Sequence, residues 1–149
     1  MGLKERLKSD LTEAIRARDE VRAGTIRMAL TSITNEEVSG KEARVLTDAE
    51  IITVLSREAK KRREAAEAYD SAGSKERGDR ERAEGLVIAE YLPSQISESE
   101  LQEKMKGAIG ETGASGPSGM GQVMKVLSPK IAGRADGSKV SAAVIAALS

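Results

Sequence analysis

Leucine or isoleucine recurs every fourth residue at the start of the chain, at Leu3, Leu7, Leu11 and Ile15, with charged residues between. That spacing keeps apolar side chains near one face of a 3.6-residue helix, so it predicts an amphipathic first helix. A second apolar set, Val21, Ile26, Ala29, Leu30 and Ile33, predicts another helix that stops near Ser39-Gly40. Thr47-Asp48-Ala49-Glu50 has the form of a capping box, in which the Thr hydroxyl accepts from the third helical amide and Glu50 reaches back. The helix behind it carries Ile51, Ile52, Leu55, Ala59, Ala66 and Tyr69, turns rich in Ala and charge, and ends at Ala72-Gly73. A fourth helix is expected from near Ser74 to Tyr91, with Leu86, Val87 and Ala89 on its apolar side. Gly78 and Gly85 each weaken it by about 1 kcal/mol relative to Ala, and Gly85 is the candidate for a close helix approach.

Pro93 interrupts this pattern, because proline lacks an amide donor and restricts the residue before it. Tyr91-Leu92-Pro93-Ser94-Gln95 is therefore the expected boundary. A second capping box, Ser97-Glu98-Ser99-Glu100, opens a helix carrying Leu101, Met105 and Ile109, with Gly110 and Gly113 ending it. A small-residue turn follows over residues 113–119. Met120, Val123, Met124, Leu127 and Ile131 mark the next helix, Gly133-Arg134-Ala135-Asp136-Gly137 the next turn, and Val140, Val144, Ile145 and Leu148 the last helix. The expected fold class is all-α. An N-terminal domain of about four helices, residues 1–93, includes a charged helical hairpin, and a three-helix domain occupies residues 94–149. A bundle of about 55 residues is marginal alone, so the last three helices are expected to lean on the first part or on a partner.

Composition fits this scheme. There is no Phe and no Trp, and only two Tyr, so the core must be built from Leu, Ile, Val, Met and Ala, which suits closely packed helices. The chain has no Cys and no His, which removes thiol nucleophiles, disulfides, thiolate zinc sites and imidazole acid–base chemistry. No cofactor and no metal are expected. Lys and Arg number 24 and Asp and Glu number 24, so the chain is not a polycation that coats nucleic acid, and any such contact must come from a local patch. The charged N-terminus, the absence of a long apolar run and the lack of Cys fit a cytoplasmic protein without a membrane span.

Two basic clusters stand out. Residues 120–140 hold Lys125, Lys130, Arg134 and Lys139 against one acid, Asp136. Lys125 projects from a helix, and the other three bracket the turn that Gly133 and Gly137 shape, an arrangement able to contact several phosphates. No aromatic residue lies there to stack on unpaired bases, so backbone and shape recognition of folded RNA is the fitting mode. The secondary patch is Lys60, Lys61 and Arg63, within the run Lys60-Lys61-Arg62-Arg63. Arg57, Glu58, Glu64 and Glu67 surround that run, so helical pairs neutralise much of it and its plain reading is a solvated face. Glu36-Glu37 reads as polar surface at a helix end. Gly116-Pro117-Ser118-Gly119-Met120-Gly121 reads as a flexible turn, lacking the Gly-Lys-Ser/Thr ending of a phosphate loop.

Met120-Gly121-Gln122-Val123-Met124-Lys125, Pro129-Lys130, the turn from Gly133 through Gly137, and Val140-Ser141 resemble the signature of the GatB/YqeY domain. In the first half, Thr25-Ile26-Arg27-Met28, Asn35-Glu36-Glu37, Lys61-Arg62-Arg63 and Glu90-Tyr91-Leu92-Pro93 resemble the stand-alone YqeY-like proteins. The resemblance spans essentially the whole chain. It implies two helical domains, the second similar to the tRNA-contacting tail of the glutamine-dependent aspartyl/glutamyl-tRNA amidotransferase B subunit. The catalytic domain of that subunit has no counterpart here, so no catalytic residue and no autonomous ligase activity are expected, although the family label is carbon–nitrogen ligase with glutamine as amido-N-donor. In the B-subunit tail the corresponding turn usually ends in Pro; here it ends in Gly137. The leading expectation is a tRNA-binding accessory protein acting in translation. The alternatives are a protein-interaction adaptor, with an amidotransferase or an aminoacyl-tRNA synthetase as partner, and the ligase role that the family label carries.

Overall fold

The computed structural model describes residues 2–149, which form seven α-helices and one 3-10 turn, with no strand among the described residues. They are α1 (Leu3–Arg16), α2 (Glu20–Glu37), α3 (Asp48–Ser71), α4 (Lys75–Ala89), α5 (Glu98–Thr112), α6 (Met120–Ile131) and α7 (Gly137–Leu148), with the 3-10 turn at Pro117–Gly119. The protein is all-α. It divides into two compact units, Met1–Leu92 and Pro93–Ser149.

In the first unit α1 packs on α2, and α3 and α4 form a hairpin that α2 crosses. The core gathers Leu7, Ile26, Ala29, Ile33, Leu46, Ile51, Leu55 and Ile88. The four-residue stripe of α1 does not hold to its end. Each step of four advances about 40° around the helix, so by Ile15 the side chain has left the core and is half exposed, and Ala14 is buried in its place. The Thr47 capping box is present in both directions at the start of α3. Asp48 beside it also accepts the Leu3 amide of α1 at 3.1 Å, which caps a helix whose own N-cap, Gly2, has no side chain to offer. Tyr91, behind α4, is buried; its hydroxyl donates to Asp10, and Arg6 lies 4.6 Å over its ring. Burial and the Asp10 carboxylate push that phenol's pKa up.

Three expectations change here. The apolar side of α4 is carried by Ile88, which is buried, with Val87 partly covered, while Leu86 and Ala89 are exposed. A Cβ at Gly78 would come 2.4 Å from the Asp70 carboxylate and 3.2 Å from the Ala66 carbonyl, whereas one at Gly85 would meet nothing within 4 Å. Gly78 therefore lets α4 approach α3, and Gly85 does not. Glu37 is buried rather than surface: Lys4 donates to it at 2.7 Å and the Leu46 amide at 3.2 Å. The loop over residues 38–47 thereby closes onto the end of α2, with Leu46 tucked into the core.

The second unit has its own core, Leu101, Met105 and Ala108 from α5, Val123, Leu127 and Ile131 from α6, and Val140, Val144 and Leu148 from α7. Repeats of three and four keep each set on one helix face. α5 runs through Gly110 and ends at Gly113, whose φ of 65° gives the left-handed closure. The second capping box forms only in part: the Ser97 hydroxyl accepts from the Glu100 amide at 3.1 Å, while the Glu100 carboxylate turns to Arg134. A charge-assisted, two-pronged pair is stronger than a bond to a neutral amide.

Candidate functional site

The turn between α6 and α7 is built around Gly133 and Arg134. Ala132 is extended with ψ at 126°, and Gly133 follows with φ at 76°, a left-handed value that favours glycine. Gly137 carries no such demand; it is the first residue of α7 and open space surrounds it. Asp136 caps α7 by accepting from the amide and hydroxyl of Ser138.

Arg134 faces inward from this turn. Its Nη1 and Nη2 donate to the two oxygens of Glu100 at 2.7 and 2.8 Å, and its Nε donates to the Ser94 carbonyl at 2.9 Å. Its own carbonyl accepts from the Ile96 amide at 2.9 Å. One residue thus ties the chain entering the unit, the first turn of α5 and the α6–α7 turn together. The hydrogen bonds from Arg134 hold the Glu100 carboxyl below the usual carboxylate range.

Lys130 lies 3.5 Å from Glu111 of α5. Lys125, on α6, and Lys139, in the first turn of α7, are exposed, and among the described residues neither makes an ion pair. The four cations grouped by sequence therefore occupy three situations: clamped, paired at the surface, and open. The acids that make the difference, Glu100 and Glu111, come from α5, 34 residues before Arg134 in the first case. The sequence offered a hint of this only at Glu100, in its capping position.

The run at residues 60–63 is likewise split by the helix. Lys61 and Arg63 face solvent and Lys60 is partly covered, but Arg62, one step of about 100° from Lys61, points inward and is 4% exposed. The run is not uniformly a solvated face. Arg62 Nη1 donates to the Glu58 carboxylate at 2.9 Å and to the Glu58 carbonyl at 3.2 Å. Its Nε lies 3.3 Å from Glu84 of α4, in ion-pair range but without hydrogen-bond geometry. Its Nη2 faces the thioether of Met28 on α2 at 3.6 Å. Burial pushes the Glu58 carboxyl up, but the hydrogen bonds from Arg62, Lys61 and Ser32 outweigh it and leave the pKa lowered.

Around this buried ion network lies a pocket of about 520 Å³. α2 lines it with Arg27, Met28, Thr31 and Ser32, α3 with Glu58, Lys61, Arg62 and Ala65, and α4 with Glu81 and Glu84. Two of the segments that carry the family resemblance, one on α2 and one on α3, meet here. Among the described residues no cluster of three or more acidic side chains is placed to hold a metal ion.

An all-helical chain in two units, one with a charged pocket and one with an arginine-clamped turn, is the class these features define. Matching of family profiles assigns it further: the Yqey-like protein family covers residues 4–148, so the chain belongs to the YqeY-like family. It is similar to a protein of Pyrenophora tritici-repentis named Altered inheritance of mitochondria protein 41, mitochondrial, at 28% identity over 133 residues, spanning 87% of this chain and 71% of that protein. A protein of the same name from Clavispora lusitaniae is 29% identical over 111 residues, spanning 73% of this chain and 64% of its own length. Among the described residues no helix is long and apolar enough to cross a membrane.

Proposed function

We propose that this protein is an accessory factor that holds folded RNA of the tRNA class through its phosphate backbone, using the second unit. The observation that supports the reading is the open pair Lys125 and Lys139, exposed on helices that flank the clamped turn and without a carboxylate partner among the described residues. Lys130 adds a third cation when its surface pair with Glu111 exchanges, since such pairs contribute little in water. Arg134 belongs to this reading as the residue that sets the turn's shape, with its two Nη groups held by Glu100. The unit has no aromatic residue, which suits backbone contact rather than base stacking. Cytoplasmic location fits the Cys-free composition; the fungal relatives are named for mitochondria.

The test is binding of the purified protein to bulk tRNA across a range of salt concentrations. Loss of two phosphate contacts in Lys125→Ala with Lys139→Ala should reduce the slope of log affinity against log salt by roughly 1.5. Binding that keeps its slope in this variant removes the proposed surface. A second reading, a protein-interaction adaptor for an amidotransferase or synthetase, draws on the α3–α4 hairpin. Its far half is mostly exposed, and its arms are linked by Arg82 of α4 pairing with Asp70 of α3 at 2.8 Å, while Asp79 of α4 holds the same guanidinium at 2.6 Å. A stoichiometric complex with one of those enzymes that survives nuclease treatment would favour it.

A further inference from the structure

We propose that the pocket between α2, α3 and α4 binds a small zwitterion of the α-amino-acid class, its carboxylate taken by Arg27 and Arg62 and its ammonium by Glu81. This goes beyond the RNA reading and depends on a different unit of the chain.

The first ground is the state of Arg62. A guanidinium has five N–H donors, and burial makes each unaccepted one costly. Nη1 is satisfied by Glu58, but Nε donates to no acceptor and Nη2 meets only the sulfur of Met28. A thioether is a weak acceptor on a flexible side chain. Met28 is half exposed and so free to swing aside. A carboxylate oxygen entering the pocket would replace the weakest bond of the network with a charge-assisted one.

The second ground is the charge of the lining. Arg27, Lys61 and Arg62 are balanced by Glu58, Glu81 and Glu84. Glu58 is engaged by Arg62, Lys61 and Ser32, and Glu84 by Arg62 and Arg80. Among the described residues Arg27 and Glu81 make no ion pair, although both line this pocket. A doubly charged phosphate entering here would face three carboxylates. A neutral ligand with separated charges satisfies one open cation and one open anion together and leaves the internal pairs intact. The side chain of such a ligand has Met28 and Ala65 to lie against, and the volume falls in the range of small-molecule sites.

The test uses the full-length protein, isotopically labelled, titrated with L-norleucine and followed by amide chemical shifts. Hexanoate, the same skeleton without the ammonium, and pentylamine, without the carboxylate, are the comparison probes. Norleucine should shift amides at Arg27, Thr31, Ser32, Lys61 and Glu81, and bind at least about tenfold more tightly than either comparison probe. Arg27→Ala and Glu81→Gln, both away from the buried core, should each weaken it by roughly tenfold while core amides keep their positions. Equal binding of hexanoate and norleucine would overturn the zwitterion assignment. Shifts elsewhere on the protein, or none up to roughly ten millimolar ligand, would overturn the site.

Discussion

Replacing Arg62 by Ala removes the centre of the ion network in the first unit. Removing one partner of a buried ion pair costs about 3–5 kcal/mol, because the other charge is left without compensation. The lower end applies here. Glu58 keeps Lys61 at 3.3 Å and Ser32 at 3.1 Å, and Glu84 keeps Arg80 at 3.5 Å, so neither carboxylate is abandoned. A loss of about 3 kcal/mol is a large share of the roughly 5–15 kcal/mol that holds a domain folded. The assay is built into the composition: Tyr69 and Tyr91 are the two tyrosines, both lie in the first unit, and there is no Trp. Tyrosine fluorescence during urea unfolding therefore follows that unit alone. The effect should depend on pH. The Glu58 carboxyl is held below its ordinary range, so its stabilising contribution is present above the unfolded carboxylate pKa and is lost as pH falls through the folded one. The gap between wild type and Arg62→Ala should be full near about pH 7 and shrink towards about pH 3. A gap below about 1 kcal/mol at neutral pH, the level of a surface pair, would refute the buried-network account, and so would one that does not change with pH.

Gly85→Ala should stabilise α4 by up to about 1 kcal/mol, since open space awaits the methyl group; Gly78→Ala should show no such gain, because its Cβ meets Asp70 and the Ala66 carbonyl, and paired urea curves read by tyrosine fluorescence compare them. Leu127→Ala, at a fully buried position of α6, should cost about 2–5 kcal/mol, seen as lost amide-exchange protection at Val123 and Val144. Arg134→Ala should lower amide protection at Ile96 and Leu101 around the clamp without changing the salt slope of tRNA binding. In the wild type, protection at these two amides should decline as pH falls through the lowered Glu100 pKa, because that pair contributes only while Glu100 is ionised.

The pattern of apolar residues was enough to determine seven helices, the Thr47 cap and the glycine ends at Gly73 and Gly113, because these are local matters: side-chain period, a hydroxyl three residues from an amide, a φ that favours glycine. The family was legible too, in long motifs that stand in the sequence whatever the fold does. Which charges go inside was not. Arg62 and Lys61 are adjacent and chemically alike, yet one is buried and the other open, since the 100° between them is resolved only once α2 and α4 pack against α3. Glu37 looked like surface until Lys4 and Leu46 came to it from either side of the fold. Gly78 and Gly85 are the same residue on the same helix, and only the path of α3 shows which of them a neighbour crowds. Arg134 was read with its sequence neighbours Lys130 and Lys139, and tertiary packing gave it instead to Glu100 and Ser94. Helical periodicity specifies neighbours three and four residues away, which is how Arg62 meets Glu58, whereas which side of a helix is covered, and which group from elsewhere in the chain comes within reach of it, is decided by the packing of apolar faces.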